Sequence, residues 1–560
     1  EICHLKLKGT KTITMLVLLA CRLLFSFLLH NRGLGDDIEC VINGEYSVGC
    51  RRDRQRDDVF VPFSLIHKYF EIYGKIITND GVEKFEWSHS YGKIYHPKKR
   101  YDPRGTFTTF ENYNVEVRDR VKCISGIEGV PVSTQWEPRG FFYPTQIAQF
   151  GLAHYSKHLT EPEPRRRIIE DGEKHVENWI VSQDAYMARE FDFLSQSNVV
   201  KFSTSDQMAS QVWLKVNISL DFVLSLDLQL KLNSSLTVVL QNKDKNKETV
   251  YLHYVTSTQL IYAQDHIYHG IGVDQQWRRL TRDLIIDMQK GWVLLDLPKR
   301  RSPRNKFKVQ PRFFFYSKLT VISSIILSGT GALDNVTVSS SEHMAQFYSA
   351  ARWLTRTQRD RSGGWPIPVR RRVAAGVRAL DPGWHSAMSQ GHAVSVLSRA
   401  YHRSGDVTYL AAAKRALYLL DVPSHAGGVK AMWMDKYVWY EEYPTKPPLF
   451  VLNGFIYTLL GLYDLHIIEG ENSISLAKKM FDDGMTSLKT LLPLFDTGSG
   501  SFYDLRHFTL GVSPNIARWD YHATHVNQLY LLAGLDNDSI LINTAKRWEG
   551  YMQGKRAAHN

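Results

Sequence analysis

VWLKVNISLDFVLSLDLQLKL, residues 212–232, alternates apolar and polar side chains almost without a break, which is the period of a β-strand and not of a helix. LTVVLQN, ETVYLHYVT, KLTVISSIILSGTG and LDNVTVSSS repeat the pattern between about 195 and 340. That spacing predicts an antiparallel β-sandwich or barrel. At His343 the period changes. HMAQFYSAARWLTRTQ, SAMSQGHAVSVLSRAYHRSGD, FVLNGFIYTLLGLYDLHII and THVNQLYLLAGL carry apolar residues at helical spacing, so the C-terminal third is predicted helical. Loops rich in Gly, Pro and aromatics punctuate these helices, a layout that suits an (α/α) toroid and also an ordinary bundle.

Working back toward the N-terminus, short β-branched and aromatic runs broken by Gly, Pro and Asp predict hairpins from Val59 to about Tyr155. Residues 31–60 are polar and read as a solvated stem or a surface loop. Ile13 to Leu29 nearly matches a bilayer span, although Arg22 interrupts it; it reads as a secretory signal or a single anchor, with its topology left open because the chain opens on Glu1. The expected class is therefore α+β and multidomain, with an anchor and stem over 1–58, a hairpin-rich region over 59–194, a sandwich or barrel over 195–340 and a helical domain over 341–560.

The 560 residues include 43% apolar and 22% charged side chains, which excludes disordered, collagenous and multi-span membrane classes. A net charge of +12 favours acidic ligands: nucleic acid, anionic lipid or anionic glycan. The 28 Tyr and 13 Trp suit sugar faces as well as cores. Five cysteines show no zinc spacing; Cys40 and Cys50 could pair, or all five could be free thiols. Sequons at Asn217, Asn233, Asn335 and Asn537 fit passage through a secretory lumen. The basic stretch 297–312 reads as a solvated loop or a polyanion contact.

Three clusters carry chemistry. Tyr440-Glu441-Glu442-Tyr443-Pro444, followed by Asn453 and Tyr457, offers carboxylates as proton acceptors beside phenols as donors; it also suits a capped loop at a helix start. Ser501 to His507 and Asn515 to His525 interleave Tyr with Arg, whose guanidinium binds carboxylate or sulfate in bidentate fashion. His522 and His525 could touch a metal but lack a third ligand, so packed histidines are the simpler reading. Strand alternation through Tyr113 to Arg120 would place Arg118 and Arg120 on one face, as an anion platform or as ordinary sheet-surface charge. No P-loop, GxSxG elbow or dinucleotide fingerprint is present, so no nucleotide cofactor is expected.

At these clusters the chain resembles the heparan sulfate D-glucuronyl C5-epimerase family, from ENYNVEVRDRVKCISGIEGVPVSTQW through WYEEYPTKPPLFVLNGFIYTLLGLYDL to DTGSGSFYDLRHFTLGVSPNIARWDYHATHVNQL. The likeness spans most of residues 60–560. It implies an isomerase that converts D-glucuronate to L-iduronate in N-sulfated heparosan, in place of a nucleic-acid binder. The alternatives are a uronate polysaccharide lyase, which abstracts the same proton, and a non-catalytic heparan-binding relative.

By that resemblance Glu442, Tyr443, Tyr503 and Tyr521 are catalytic, with Glu442 and Tyr521 as the opposed proton-transfer groups. Arg506 and Arg518 would offset carboxylate and enediolate charge. Tyr113, Arg118, Asp119, Arg120, Gln135, Tyr143, Gln146, Arg372, Asn453, Tyr457, Asn515, Trp519 and Thr524 match saccharide-binding positions. A structural calcium is implied, with Asn198 and Asp334 among its ligands. The resemblance further implies a homodimer, other heparan sulfate biosynthetic enzymes as partners, and a single-pass type II Golgi membrane protein with a lumenal catalytic domain. Ala375 departs from the family, standing where an acidic residue is expected.

Overall fold

The computed structural model describes residues 36–558 except 43, 57, 71–72, 80, 89–91, 174–178, 206–209, 244–248, 264, 297–319, 360 and 471–474. The apolar segment 13–29, Cys3, Cys21 and the basic stretch 297–312 lie outside the described residues. The chain divides into two units, Glu1–Lys93 and Ile94–Asn560.

In the first unit, the polar stretch expected as a stem folds into antiparallel strands β1 (Asp36–Ile42), β2 (Tyr46–Asp53) and β3 (Asp58–Phe60). Gly44, at φ +73°, turns β1 into β2, and Cys40 and Cys50 are joined as a disulfide across that pair. A short helix, α1 (Phe63–Phe70), precedes a second hairpin, β4 (Tyr73–Asn79) with β5 (Val82–Ser88).

The second unit opens with one small hairpin, β6 (Val121–Ile124) and β7 (Pro131–Ser133), and then departs from the expected hairpins. Residues 144–160 form a helix, α2 (Pro144–Thr160), started by Pro at its first position. Its sequence, PTQIAQFGLAHYSKHLT, is buried nearly all round, which blurs the amphipathic period that would have revealed it.

Two facing antiparallel sheets follow. One has the order β10 (Tyr186–Asp192), β11 (Ser197–Ser203), β20 (Thr330–Ser339), β13 (Val223–Leu230), β18 (Arg278–Asp283), with β8 (Arg166–Glu170) also on β20. The other has the order β16 (Leu260–Ala263), β17 (His266–Gly270), β15 (Thr249–Val255), β14 (Ser235–Asn242), β19 (Thr320–Ser328), β12 (Val212–Ile218), β9 (Trp179–Val181), with β15 and β17 parallel. Neither sheet closes into a barrel among the described residues, so the sandwich alternative holds. Strand alternation builds the core: Val250, Leu252 and Tyr254 of β15 face inward with Leu226, Leu228 and Ile325. A helix, α3 (Leu284–Asp296), follows β18.

The helical region comprises α4 (His343–Thr357), α5 (Ala387–Ser404), α6 (Val407–Asp421), the hairpin β21 (Lys430–Trp433) and β22 (Tyr437–Tyr440), α7 (Leu452–Glu469), α8 (Leu476–Leu491), α9 (Arg506–Leu510), α10 (Trp519–Ala533) and α11 (Ser539–Met552). α2 packs with α4 and α5, α5 with α6 and α7, and α10 with α11 and α7, so the early helix belongs to the same core. Gly391 and Gly461 let α5 and α7 meet backbone to backbone: a Cβ on Gly461 would fall 2.3 Å from the Gly391 carbonyl oxygen. The same pair of helices is tied by fully buried Arg399 and Asp464, 2.5 Å apart, with Tyr101 donating to Asp464 at 2.8 Å. Among the described residues no helix is long and apolar enough to cross a membrane.

Candidate active site

The packing brings four helix starts to one cavity of about 350 Å³. Tyr143 caps α2, Met388 lies in the first turn of α5, Asn453 in the first turn of α7 and Tyr521 in the first turn of α10, and all four line the cavity. Helix N-termini carry partial positive charge and free N–H groups, so their convergence favours an anion before any side chain is counted.

Glu442 enters from the loop between β22 and α7. It is buried, and its Oε2 lies against Gly454: a Cβ there would fall 2.5 Å from that oxygen. Burial pushes the Glu442 carboxyl up to about 7, while hydrogen bonds from the Tyr443 and Tyr503 hydroxyls and the charge of Arg371 oppose the rise. Among the described residues its Oε2 has no hydrogen-bond partner. The neighbouring Glu441 is structural: its carbonyl accepts from the Ala387 amide at 2.9 Å, and its Oε1 accepts from the Phe450 amide at 3.1 Å. Burial raises Glu441 to about 8, and it does not line the cavity.

The phenols around Glu442 are held neutral. Burial, followed by the charge of Glu442, raises Tyr443 and Tyr503 well above the ordinary phenol value, and the same two causes raise Tyr143 and Tyr521. The Tyr503 and Tyr521 rings meet edge to face at 4.9 Å. The Tyr503 carbonyl accepts from the Leu452 amide at 3.1 Å, so the chain carrying this phenol also holds the start of α7. Among the described residues, Asn453 and Gln146 each leave a buried carbonyl oxygen unpartnered beside the cavity. Tyr457 packs against His392 at 4.5 Å.

Two arginines also line the cavity. Arg120 donates to Gln135 at 3.0 Å, and the Arg118 guanidinium sits 4.4 Å over the Tyr113 ring while donating to its hydroxyl. The strand expected through Tyr113 to Arg120 is absent. Turns closed by Arg118 N to Val115 O and Val121 N to Arg118 O take its place, because pairing with β7 begins only at Val121. Arg118 and Arg120 both line the cavity nonetheless. The arrangement is a neutral-range carboxylate among proton-donating phenols, in one cavity with guanidinium groups: an acid/base site for an anionic ligand.

A model of the D-glucuronyl C5-epimerase C-terminus matches residues 359–550, and a model of the D-glucuronyl C5-epimerase β-sandwich domain matches residues 196–314. A D-glucuronyl C5-epimerase of Caenorhabditis elegans is 37% identical over 570 aligned positions, covering 93% of this chain and 89% of that one. The chain belongs to the D-glucuronyl C5-epimerase family. An uncharacterized protein of Methanocaldococcus jannaschii is 32% identical over 175 positions, 30% of this chain and 53% of that one. A family 11 carbohydrate-binding module from Clostridium thermocellum covers 32% of this chain and 95% of its own at 12% identity and a TM-score of 0.18, too low to bear on fold or function.

Within this epimerase, Glu442, Tyr443, Tyr521, Tyr113, Arg118, Arg120, Gln135, Tyr143, Gln146, Asn453, Tyr457 and Thr524 line one cavity, and Tyr503, outside that lining, reaches Glu442. Others lie apart from it. Arg506 grips the fully buried Asp504 through Nε at 2.8 Å and Nη2 at 2.5 Å, and Asn515 donates to the same carboxylate at 2.8 Å. Arg518 and Trp519 sit at the start of α10, with Arg518 3.8 Å from Asp520 and Trp519 edge-on to His522. Asp119, Arg372 and Ala375 are exposed. His522 and His525 share the Ser501 hydroxyl, at 2.8 and 2.9 Å, and burial lowers both, so they pack as neutral rings.

Arg371, next to the expected Arg372 and absent from the sequence reading, is the arginine of this run whose charge reaches Glu442. Its guanidinium lies 4.6 Å from the Trp136 ring centre and 5.9 Å from that of Tyr443, and its charge acts on Glu442. Three consecutive arginines, 370–372, carry no local signal that would distinguish the middle one. Asp504 lies in the same cluster as Arg506 and is the carboxylate that Arg506 pairs with.

Asn198 and Asp334 come together at the rim of the sandwich. Asp334 is buried, and burial raises its carboxyl; Gly172 approaches so closely that a Cβ would fall 2.0 Å from the Asn198 carbonyl oxygen and 3.2 Å from Asp334 Oδ1. Glu173 accepts from the Asn198 side-chain amide at 2.7 Å. These are hard oxygen donors, the chemistry calcium takes, although no group of three metal-binding His, Cys, Asp or Glu side chains occurs among the described residues.

Proposed function

We propose that this epimerase inverts carbon 5 of D-glucuronyl residues within N-sulfated heparosan, giving L-iduronyl residues during heparan sulfate and heparin assembly. The observation that supports this most is the seat of Glu442, a carboxylate near 7 ringed by neutral phenols at the meeting point of four helix N-termini. A proton next to a carboxylate leaves as an acid only when the enediolate behind it is stabilised. Helix N-termini, Arg118, Arg120 and Arg371 supply fixed positive potential for that charge.

Glu442 takes the carbon 5 proton and becomes the carboxylic acid. Tyr521 donates its phenolic proton to the opposite face of the planar carbon, and the site is reset when Glu442 releases its proton to solvent and the phenolate takes one back from it. Burial serves both steps: a raised carboxylate is a stronger base than an ordinary Glu, and a raised phenol stays protonated until the carbanion forms. Tyr443 and Tyr503 orient Glu442 through their hydroxyls. Asn453 and Gln146, with unpartnered carbonyl oxygens, would accept from sugar hydroxyls.

A structural calcium at Asn198, Asp334 and Glu173 would balance the buried charge of Asp334 and pin β11 to β20. A lumenal site is supported by the Cys40–Cys50 disulfide and by exposed sequons at Asn217, Asn233, Asn335 and Asn537. Family membership supports a Golgi enzyme, single-pass type II through residues 13–29, working as a homodimer beside other heparan sulfate biosynthetic enzymes. The deciding experiment is deuterium incorporation at uronate carbon 5 of N-sulfated heparosan in heavy water, read by NMR. Incorporation with iduronate signals and unchanged chain length is expected. Shortened, unsaturated products would make it a lyase, and binding without exchange a heparan-binding relative.

A further inference from the structure

A cavity of about 350 Å³ holds the reacting sugar but not a polymer, so the chain must leave it somewhere. A second cavity, of about 530 Å³, shares Tyr95, Thr109, Tyr457 and Thr524 with the first, so the two are continuous. One face of α10 runs through both: Tyr521 and Thr524 line the first, and Thr524, Asn527, Gln528 and Leu531 line the second, at spacings of three and four residues. Tyr521 and Leu531 are ten residues apart, about 15 Å along the helix axis.

The floor of the second cavity is the sequence HPKKR, residues 96–100. It is pinned at both ends. The Tyr95 amide donates to Asn527 at 2.8 Å, and the Tyr101 hydroxyl donates to buried Asp464 at 2.8 Å. His96 is tied to Glu549 at 3.1 Å and packs on Tyr530 at 4.7 Å. Lys98, Lys99 and Arg100 are exposed, and none has an acidic partner among the described residues. Asp102, paired with Arg104, and Glu111 line the same cavity, so three cations outside any ion pair on a fixed loop still leave it net positive, an electrostatic site for a linear polyanion.

We propose that Lys98, Lys99 and Arg100 form a flanking subsite in the second cavity that binds sulfamate groups of the heparan chain beyond the reacting uronate. It rests on the heparosan reading of the catalytic cavity and adds a determinant of sulfation preference outside it. The segment holds the polymer and touches no reacting atom.

The test is binding of the full chain to N-sulfated and to N-acetylated heparosan of equal length, across a salt series, for wild type and for Lys98→Ala/Lys99→Ala/Arg100→Ala. Lys215→Ala/Lys231→Ala/Lys243→Ala, exposed on the sandwich, removes the same charge elsewhere. The first triple variant is expected to bind the N-sulfated polymer about 10-fold or more weakly, with a shallower salt slope, and to lose little on the N-acetylated one. Lys98→Arg/Lys99→Arg should keep wild-type affinity. Equal loss on both polymers, equal loss in the sandwich variant, or no loss would each overturn the proposal. Carbon 5 exchange by wild type is scored separately, so failure of the epimerase reading is distinguishable from failure of the subsite.

Discussion

Glu442 and Gly454 occupy one space: the carboxylate of the first lies where a side chain on the second would begin, 2.5 Å from the position of its Cβ. A glycine inside a helix ordinarily costs stability relative to alanine. Here it makes room at the start of α7 for the proposed base. Gly454→Ala is expected to displace Glu442, because the Glu442 Cβ, only 2.8 Å away, cannot swing aside as a flexible side-chain end would. Carbon 5 exchange should fall at least about 10-fold with circular dichroism unchanged. Wild-type exchange in this variant would refute the assignment of Glu442.

The exchange rate should rise with pH through an apparent midpoint near 7, because only the ionised Glu442 accepts a proton and burial has raised it to about 7. A midpoint near the ordinary carboxylate value would contradict the buried geometry. Glu442→Gln should lower exchange by roughly 10²–10⁴. The raised carboxyl favours the folded state at low pH and loses that contribution as pH climbs from the unfolded value through about 7. Glu442→Gln is therefore expected to raise Tm relative to wild type at pH 8, with the difference shrinking toward pH 5.

Tyr443 and Tyr503 donate hydrogen bonds that hold the Glu442 value down. Tyr443→Phe and Tyr503→Phe should slow exchange and also move its pH midpoint upward. Tyr521→Phe, which removes the proposed donor, should slow exchange by about 10²–10⁴ and leave the midpoint in place. Parallel pH profiles for all three variants would remove the distinction between orienting and transferring phenols.

Arg506 clamps Asp504 with a two-point grip, and Asn515 closes the third side. Asp504→Ala leaves that guanidinium unpaired in a partly buried setting and should cost about 3 kcal/mol of stability, measured by urea unfolding. Arg506→Lys should recover only part of it, since ammonium lacks the planar fork. An Arg506→Ala variant that lost exchange without losing stability would return Arg506 to a direct electrostatic role.

If calcium occupies the Asn198 and Asp334 pocket, chelator should lower the wild-type Tm, and added calcium should restore it by mass action. Asp334→Asn should abolish the calcium response while keeping carbon 5 exchange measurable at low temperature. An unchanged Tm under chelator would empty the proposed site.

The sequence by itself determined the layers of this protein. Alternation from Val212 to Leu232 is a local property of successive side chains, and it placed the sandwich; the change of period at His343 placed the helices. It also singled out Glu442, Tyr443, Tyr503 and Tyr521, which the fold brings together, because their clusters are contiguous in the chain. Tertiary structure decided what neighbours on the chain cannot. Helix α2 was hidden because burial on every side removes the polar face that reveals a helix. Arg371 and Arg372 are chemically identical and adjacent, and only the fold turns Arg371 onto Trp136 and Tyr443 while Arg372 faces water. The pairing of Arg506 with Asp504 is also set by the fold and not by the residue types in the cluster. The raised value of Glu442 is likewise invisible in its letters: desolvation is set by what surrounds a group, and Gly454, Tyr443 and Tyr503 surround it only after the chain has folded.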